Sequence, residues 1–296
     1  MREDITYFSD GLKIAAHLYR PDNWKPGDPP RPGIVCVTGY SGRKNLATID
    51  MPIHLSNAGF FTLAPDYRGY GVSEGARGRH RPLEQAQDTY DGITCLQTVE
   101  GVDPERIGLY GTSFGGAHAI WAAAFDERVK ATVSAVGVHD GERWLKTLRR
   151  PYEWLAFQSR VREAARKRVT TNERETIIRH DIYSDDPDNP KPPMTLEEHG
   201  SEEVLELDLE SVEACFRYRP EWVVGKISPR PVLFIYGEED VMVPPSEAHA
   251  CYAACGEPKK IVMLPRGRHN DVYQVNNPEL FEMALTETTA WFREYL

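Results

Sequence analysis

The stretch Arg106-Ile107-Gly108-Leu109-Tyr110-Gly111-Thr112-Ser113-Phe114-Gly115-Gly116 decides the fold. Its first half is a short apolar run, as expected of a strand buried on both faces, and the small residues over 114–125 favour a helix. Between them lies G-x-S-x-G. A turn from strand to helix this short presses the two backbones together, so Gly111 and Gly115 must lack side chains. It also lifts the Ser113 hydroxyl out of the sheet. The Phe114 N–H then points to the same spot from a helix N-terminus, where the dipole favours an oxyanion. The competing use of such a turn, a dinucleotide site, wants G-x-G-x-x-G, and that pattern is absent here.

Working outward, the same alternation repeats. Residues 4–20 alternate weakly around Ser9-Asp10-Gly11 and read as a β-hairpin, followed by a proline-rich surface loop over 21–32. Strands are expected at 33–37, 60–64, 106–110, 129–136, 231–236 and 260–264. Helices are expected at 46–58, 82–99, 114–125 and about 279–295. Strands alternating with helices imply an α/β fold, a mostly parallel twisted sheet with helices on both faces.

That rhythm stops between 139 and 227, where no strand-like run is evident. Residues 142–181 carry eleven Lys/Arg against six Asp/Glu, and residues 184–213 carry eleven Asp/Glu against one Lys. The expectation is a core of 1–138 and 228–296 with a helical insertion, or cap, at 139–227. Its charged halves either face solvent or pair with each other. Asp185 to Pro193 reads as an exposed loop or a mobile flap.

A serine hydroxyl needs a base, and the base an acid to orient it. Val232 to Tyr236 is a buried strand ending in Gly237-Glu238-Glu239-Asp240, and Asp240 is preferred over Glu238 and Glu239 as the acid. Ile261 to Leu264 ends in Pro265-Arg266-Gly267-Arg268-His269, which makes His269 the base. Ser113, Asp240 and His269 thus all follow strand C-termini, the edge where open α/β sheets bind ligands. The chain has nine histidines; His54, His118, His139, His180, His199 and His249 lack this placement. Of these, His139 follows a strand and could line the pocket, and His118 is expected to pack within its helix. A second oxyanion donor should come from Thr38-Gly39-Tyr40-Ser41-Gly42, with the Tyr40 N–H first and its hydroxyl second. Trp144, Trp154, Phe157 and Tyr183 are candidates to line the substrate pocket, although aromatic residues in an insertion also serve as its own core.

Composition narrows the partners. The net charge is −10, which speaks against nucleic acid and anionic membranes. The five cysteines, an odd number, suggest no disulfide framework, and Cys251 and Cys255 lack companions for a metal site. No apolar stretch reaches the length of a bilayer span, and the charged start lacks a leader-like apolar run. The expectation is a soluble cytoplasmic protein acting on a small molecule, without metal or organic cofactor; exposed insertion helices leave room for a homodimer.

Thr38-Gly39-Tyr40, Asp66-Tyr67-Arg68-Gly69-Tyr70-Gly71-Val72-Ser73, the Ser113 turn, Gly237 to Pro244 and Gly267 to Asp271 together resemble the α/β-hydrolase superfamily over nearly the whole chain. Within it the chain looks most like the branch of dienelactone hydrolases, Xaa-Pro peptidases and cocaine esterases. The resemblance implies Ser113 as nucleophile, His269 as base, Asp240 as orienting acid and N–H donors at Tyr40 and Phe114. One departure is Thr38-Gly39, where many members have His-Gly. A serine rather than an aspartate nucleophile sets the chain apart from haloalkane dehalogenases and epoxide hydrolases. The expected activity is hydrolysis of a carboxylic ester through an acyl-enzyme. Amide, peptide or C–C hydrolysis and acyl transfer are alternatives with the same triad, and a non-catalytic binding role is the alternative outside enzymes.

Overall fold

Alternate residues of a strand point to opposite faces, and in the central strands both faces are apolar. In Arg31–Val37 (β3), Val35 and Val37 join one core layer while Ile34 and Cys36 join the other. Val232–Gly237 (β9) divides the same way, with Phe234 on one side and Leu233 and Ile235 on the other. Burial on both faces is the mark of a central parallel sheet.

A computed structural model gives the architecture and describes residues 1–44, 50–183, 186–190 and 206–296. The remaining strands of the main sheet are Arg2–Ser9 (β1), Leu12–Tyr19 (β2), Phe61–Pro65 (β4), Val102–Thr112 (β5), Val129–Ala135 (β6) and Lys259–Leu264 (β10). The sheet has eight strands in the order β1-β2-β4-β3-β5-β6-β9-β10. From β4 to β10 neighbours run parallel, and the β1–β2 hairpin adds antiparallel strands at one edge. Pro82–Gln97 (α2) and Phe114–Phe125 (α3) cover one face; Asp50–Asn57 (α1) and the Pro278–Tyr295 helix cover the other. Residues 46–49 of the first expected helix lie outside the described residues.

The insertion forms its own core, shared with the sheet edge. Gly141–Thr147 (α4), Pro151–Thr171 (α5) and the Leu209–Phe216 helix bury Trp144, Trp154, Phe157, Val161, Val212 and Cys215 together with Tyr40, Phe114, Met242 and Val243. Its two charged halves pair: Arg168 meets Glu213 at 2.9 Å and Glu210 at 3.5 Å, and Arg174 meets Glu210 at 3.4 Å. Glu247, on the Pro245–Ala254 helix, fastens the insertion's start. Its buried carboxylate accepts from the backbone N–H groups of His139 and Asp140 at 2.8 and 2.9 Å and from Arg143 Nε at 2.5 Å.

Two expectations for this region are corrected. The insertion is not strand-free: Thr176–Ile178 (β7) and Glu206–Asp208 (β8) pair antiparallel. Three-residue strands among charged residues leave no periodic trace to read. The second concerns the loop expected at 185–193, described over 186–190. Pro187, Asp188 and Pro190 are exposed as expected, but Asp186 and Asn189 are buried against the loop that carries His269, and Asn189 makes hydrogen bonds to Asn270 and Asp271. Prolines and aspartates signalled a turn correctly, but not that its polar groups find partners in another loop. Asp185 and residues 191–193 lie outside the described residues. Among the described residues no helix is long and apolar enough to cross a membrane.

Candidate active site

Ser113 takes φ 56° and ψ −127°, left-handed backbone that non-glycine residues rarely adopt. Close packing holds it there. A Cβ on Gly111 would stand 2.1 Å from the Gly115 carbonyl oxygen, and one on Gly115 would stand 2.4 Å from that of Val37. Ser113 N–H donates to the Ala135 carbonyl at 2.9 Å, which ties the turn to β6. Ser113 therefore stands at the C-terminal end of β5 with its hydroxyl off the sheet.

The two loops chosen from sequence converge on it. His269 opens a short helical turn after β10, and Asp240 follows β9. His269 Nε2 lies 3.0 Å from Ser113 Oγ, and His269 Nδ1 lies 2.7 Å from Asp240 Oδ2. The other oxygen of Asp240 accepts the backbone N–H groups of Met242 and Val243 at 2.9 and 2.8 Å. His269 and Asp240 are both 3% exposed, so the bond between them is shielded from water. A carboxylate can only accept, so Nδ1 carries the imidazole hydrogen and the Nε2 lone pair faces the serine hydroxyl. Glu238 instead accepts from the Arg266 N–H at 2.8 Å.

Phe114 opens α3 directly after Ser113, and the loop after β3 that carries Tyr40 passes close by, since a Cβ on Gly39 would stand 3.0 Å from Ser113 Cβ. Phe114, as the first residue of its helix, has no intrahelical acceptor for its N–H. The Tyr40 ring is buried and its hydroxyl faces the Cys215 thiol of the insertion. Beneath this loop, Asp66 of the D-x-R-G-x-G-x-S segment accepts from Lys44 N and Nζ, both at 2.6 Å, and from Val72 N at 3.0 Å. Arg68 of the same segment pairs with buried Asp88 at 2.7 Å. The segment braces the loop that follows β3.

The four pocket candidates divide. Trp144 lies 5.9 Å from Phe114 and 6.1 Å from Tyr40, ring to ring, and its indole N–H donates to the Met242 carbonyl in the Asp240 loop at 2.8 Å. Tyr183 lies 5.7 Å from both Tyr40 and Trp144. Trp154 and Phe157 instead pack against Phe216, at 5.3 and 6.3 Å, in the insertion's interior. His139 is turned inward, its ring 3.0 Å from Ser134 Oγ and 3.1 Å from the Glu247 carbonyl. His118 packs on Phe114 at 5.2 Å.

His80 carried no sequence signal, yet its ring sits 3.9 Å from Tyr40 and 5.0 Å from Phe114. Burial, reinforced by neighbouring His118, pushes its pKa well below the usual histidine value. Neither of its ring nitrogens has a hydrogen-bond partner among the described residues. Its backbone N–H donates to Ser211 Oγ of the insertion at 2.9 Å.

Comparison with known proteins adds the family. The model of the X-Pro dipeptidyl-peptidase (S15) family matches residues 10–271. An Escherichia coli "uncharacterized 31.7 kDa protein in traX-finO intergenic region" is 30% identical, with 91% of this chain and 93% of that protein covered. Polyketide transferase ATR5 of Stachybotrys chlorohalonatus is 25% identical, with 95% and 94% covered. Among solved structures, the α/β hydrolase GrgF from Penicillium superposes with a TM-score of 0.79 at 22% identity, covering 100% of this chain and 99% of that one. The sheet and helices described above are therefore an α/β-hydrolase fold.

Proposed function

From the premise that this chain belongs to the X-Pro dipeptidyl-peptidase (S15) family, we propose that it is a serine hydrolase cleaving a carboxylic ester of a small or medium-sized uncharged molecule through an acyl-enzyme on Ser113. The observation that carries this reading is the unbroken sequence Ser113 Oγ, His269, Asp240 at 3.0 and 2.7 Å. Ser113 attacks the carbonyl carbon as Nε2 of His269 takes its proton. The negative oxygen that forms is held by the Tyr40 and Phe114 N–H groups, each contributing roughly 3 kcal/mol. His269 returns the proton to the leaving alcohol, water enters, and the same imidazole deprotonates it to release the acid. Asp240 keeps the imidazole in the productive tautomer. The insertion, 139–227, acts as the cap, with Trp144 and Tyr183 as the walls nearest the nucleophile.

Ser113→Ala should lower hydrolysis of p-nitrophenyl butyrate by several orders of magnitude and abolish labelling by a fluorophosphonate. Near-wild-type turnover in that variant would refute the assignment. A second reading, acyl transfer to an alcohol or thiol, is favoured by the relative named a polyketide transferase. Turnover in the presence of an added alcohol separates the two by product: transfer gives the new ester, hydrolysis only the acid. A parallel assay with an Xaa-Pro p-nitroanilide tests the peptidase alternative.

A further inference from the structure

We propose that Asn189, contributed by the insertion, is a positioning residue for His269; this rests on the serine-hydrolase reading above. The imidazole must meet Ser113 on one edge and Asp240 on the other, at 3.0 and 2.7 Å. Its ring can do so only if the backbone beneath it stays in place. The flanking residues are fixed by one small buried network. Asn189 Oδ1 accepts the N–H of Asn270 at 2.7 Å, and the Asn189 carbonyl accepts from Asn270 Nδ2 at 2.6 Å. Asn189 Nδ2 donates to Asp271 Oδ1 at 2.8 Å, and Asp271 Oδ2 accepts the N–H of Arg268 at 2.8 Å. The backbone just before His269 and the backbone just after it are thus tied to a single side chain from a distant part of the sequence.

Asn270 is fully buried, and Asn189 and Asp271 are each 7% exposed, so water competes little for these groups. Both arms of the Asn189 amide are used, one as acceptor and one as donor. Aspartate would keep the bond to the Asn270 N–H but set a second carboxylate against Asp271. Leucine or alanine would leave the Asn270 N–H without this partner. Only a side chain with both polarities completes the network, unless the polarity of Asp271 is reversed as well.

That exchange is the test. Asn189→Ala, Asn189→Asp and the double variant Asn189→Asp/Asp271→Asn are compared with wild type in p-nitrophenyl butyrate hydrolysis. In parallel, the downfield proton resonance of the His269 Nδ1–H, identified by its loss in His269→Ala, is followed by NMR. Both single variants should lose about tenfold in kcat with KM changed less than about twofold, and broaden that resonance. The double variant restores the donor–acceptor pair with roles exchanged and should recover to within about threefold of wild type. A merely structural role would lower thermal stability and leave kcat of the folded enzyme unchanged. A kcat within about twofold of wild type in the folded single variants, or a double variant no better than Asn189→Asp, overturns the proposal. Should Asn189→Ala not fold, the Asn189→Asp and double-variant pair decides. Full activity in Ser113→Ala would refute the triad instead. In that event the His269 resonance decides for Asn189: broadening supports the positioning role, and an unchanged resonance overturns it.

Discussion

The two oxygens of Asp240 have separate roles. Oδ2 meets His269, and Oδ1 accepts from two backbone N–H groups of its own loop. In an Asp240→Asn variant the new amide can keep its oxygen on those N–H groups, which turns its NH2 toward Nδ1. The imidazole would then carry its hydrogen on Nε2 and could not accept the proton of Ser113. Turnover should fall about 10⁴-fold with the fold intact, as kcat measurements beside circular dichroism would show. A loss of less than about tenfold would remove Asp240 from its assigned role. That Ser113, Asp240 and His269 meet was legible in the sequence, because G-x-S-x-G marks the serine and the acid and the base each lie in a loop just after an apolar strand run. His80 and Asn189 were not legible. Neither belongs to a periodic element, and their partners Tyr40, Phe114 and Asn270 are joined to them only through the tertiary fold.

At the scale of elements, the start of the insertion is fastened by one carboxylate. Glu247 is 1% exposed and serves two backbone N–H groups and the Arg143 guanidinium. Removing it in Glu247→Ala leaves those donors buried without that acceptor and should cost about 3 kcal/mol, read as a shift in the urea midpoint. Glu247→Gln retains an acceptor for the backbone and should lose less. A loss below about 1 kcal/mol in the alanine variant would mean the insertion is held elsewhere. Helices α2 and α3 match their expected ranges closely, since an apolar or small-residue pattern over many residues is hard to misread. β7 and β8 leave no trace in the sequence because each is three residues long and its pairing partner lies far off along the chain. The pairing of the two charged halves was left open for the same reason: composition shows that charges complement, and only the fold sets Arg168 beside Glu213.

For the whole molecule, the buried histidines contribute to the response to acid. Burial lowers the pKa of His139 from 6.5 to about 4 and that of His118 to about 3. Burial and the proximity of His118 push His80 well below 6.5 as well. The folded state resists these protons and the unfolded chain accepts them, so the stability these histidines contribute is full above pH 6.5 and declines as pH falls toward 4. Each such histidine contributes a slope of up to about 1.4 kcal/mol per pH unit, which urea titrations at successive pH values would measure. His118→Phe should flatten that slope; an unaltered slope would exclude His118 as a contributor. The edges of the sheet carry a different consequence. The outermost strands are β1 and β10, and they present Arg2, Glu3 and Asp4 on one side and Lys259 and Lys260 on the other. A second copy adding its own strand there would have to bring charged side chains into register beside these. Where those charges sit they act as gatekeepers against fibrous stacking of one molecule on the next.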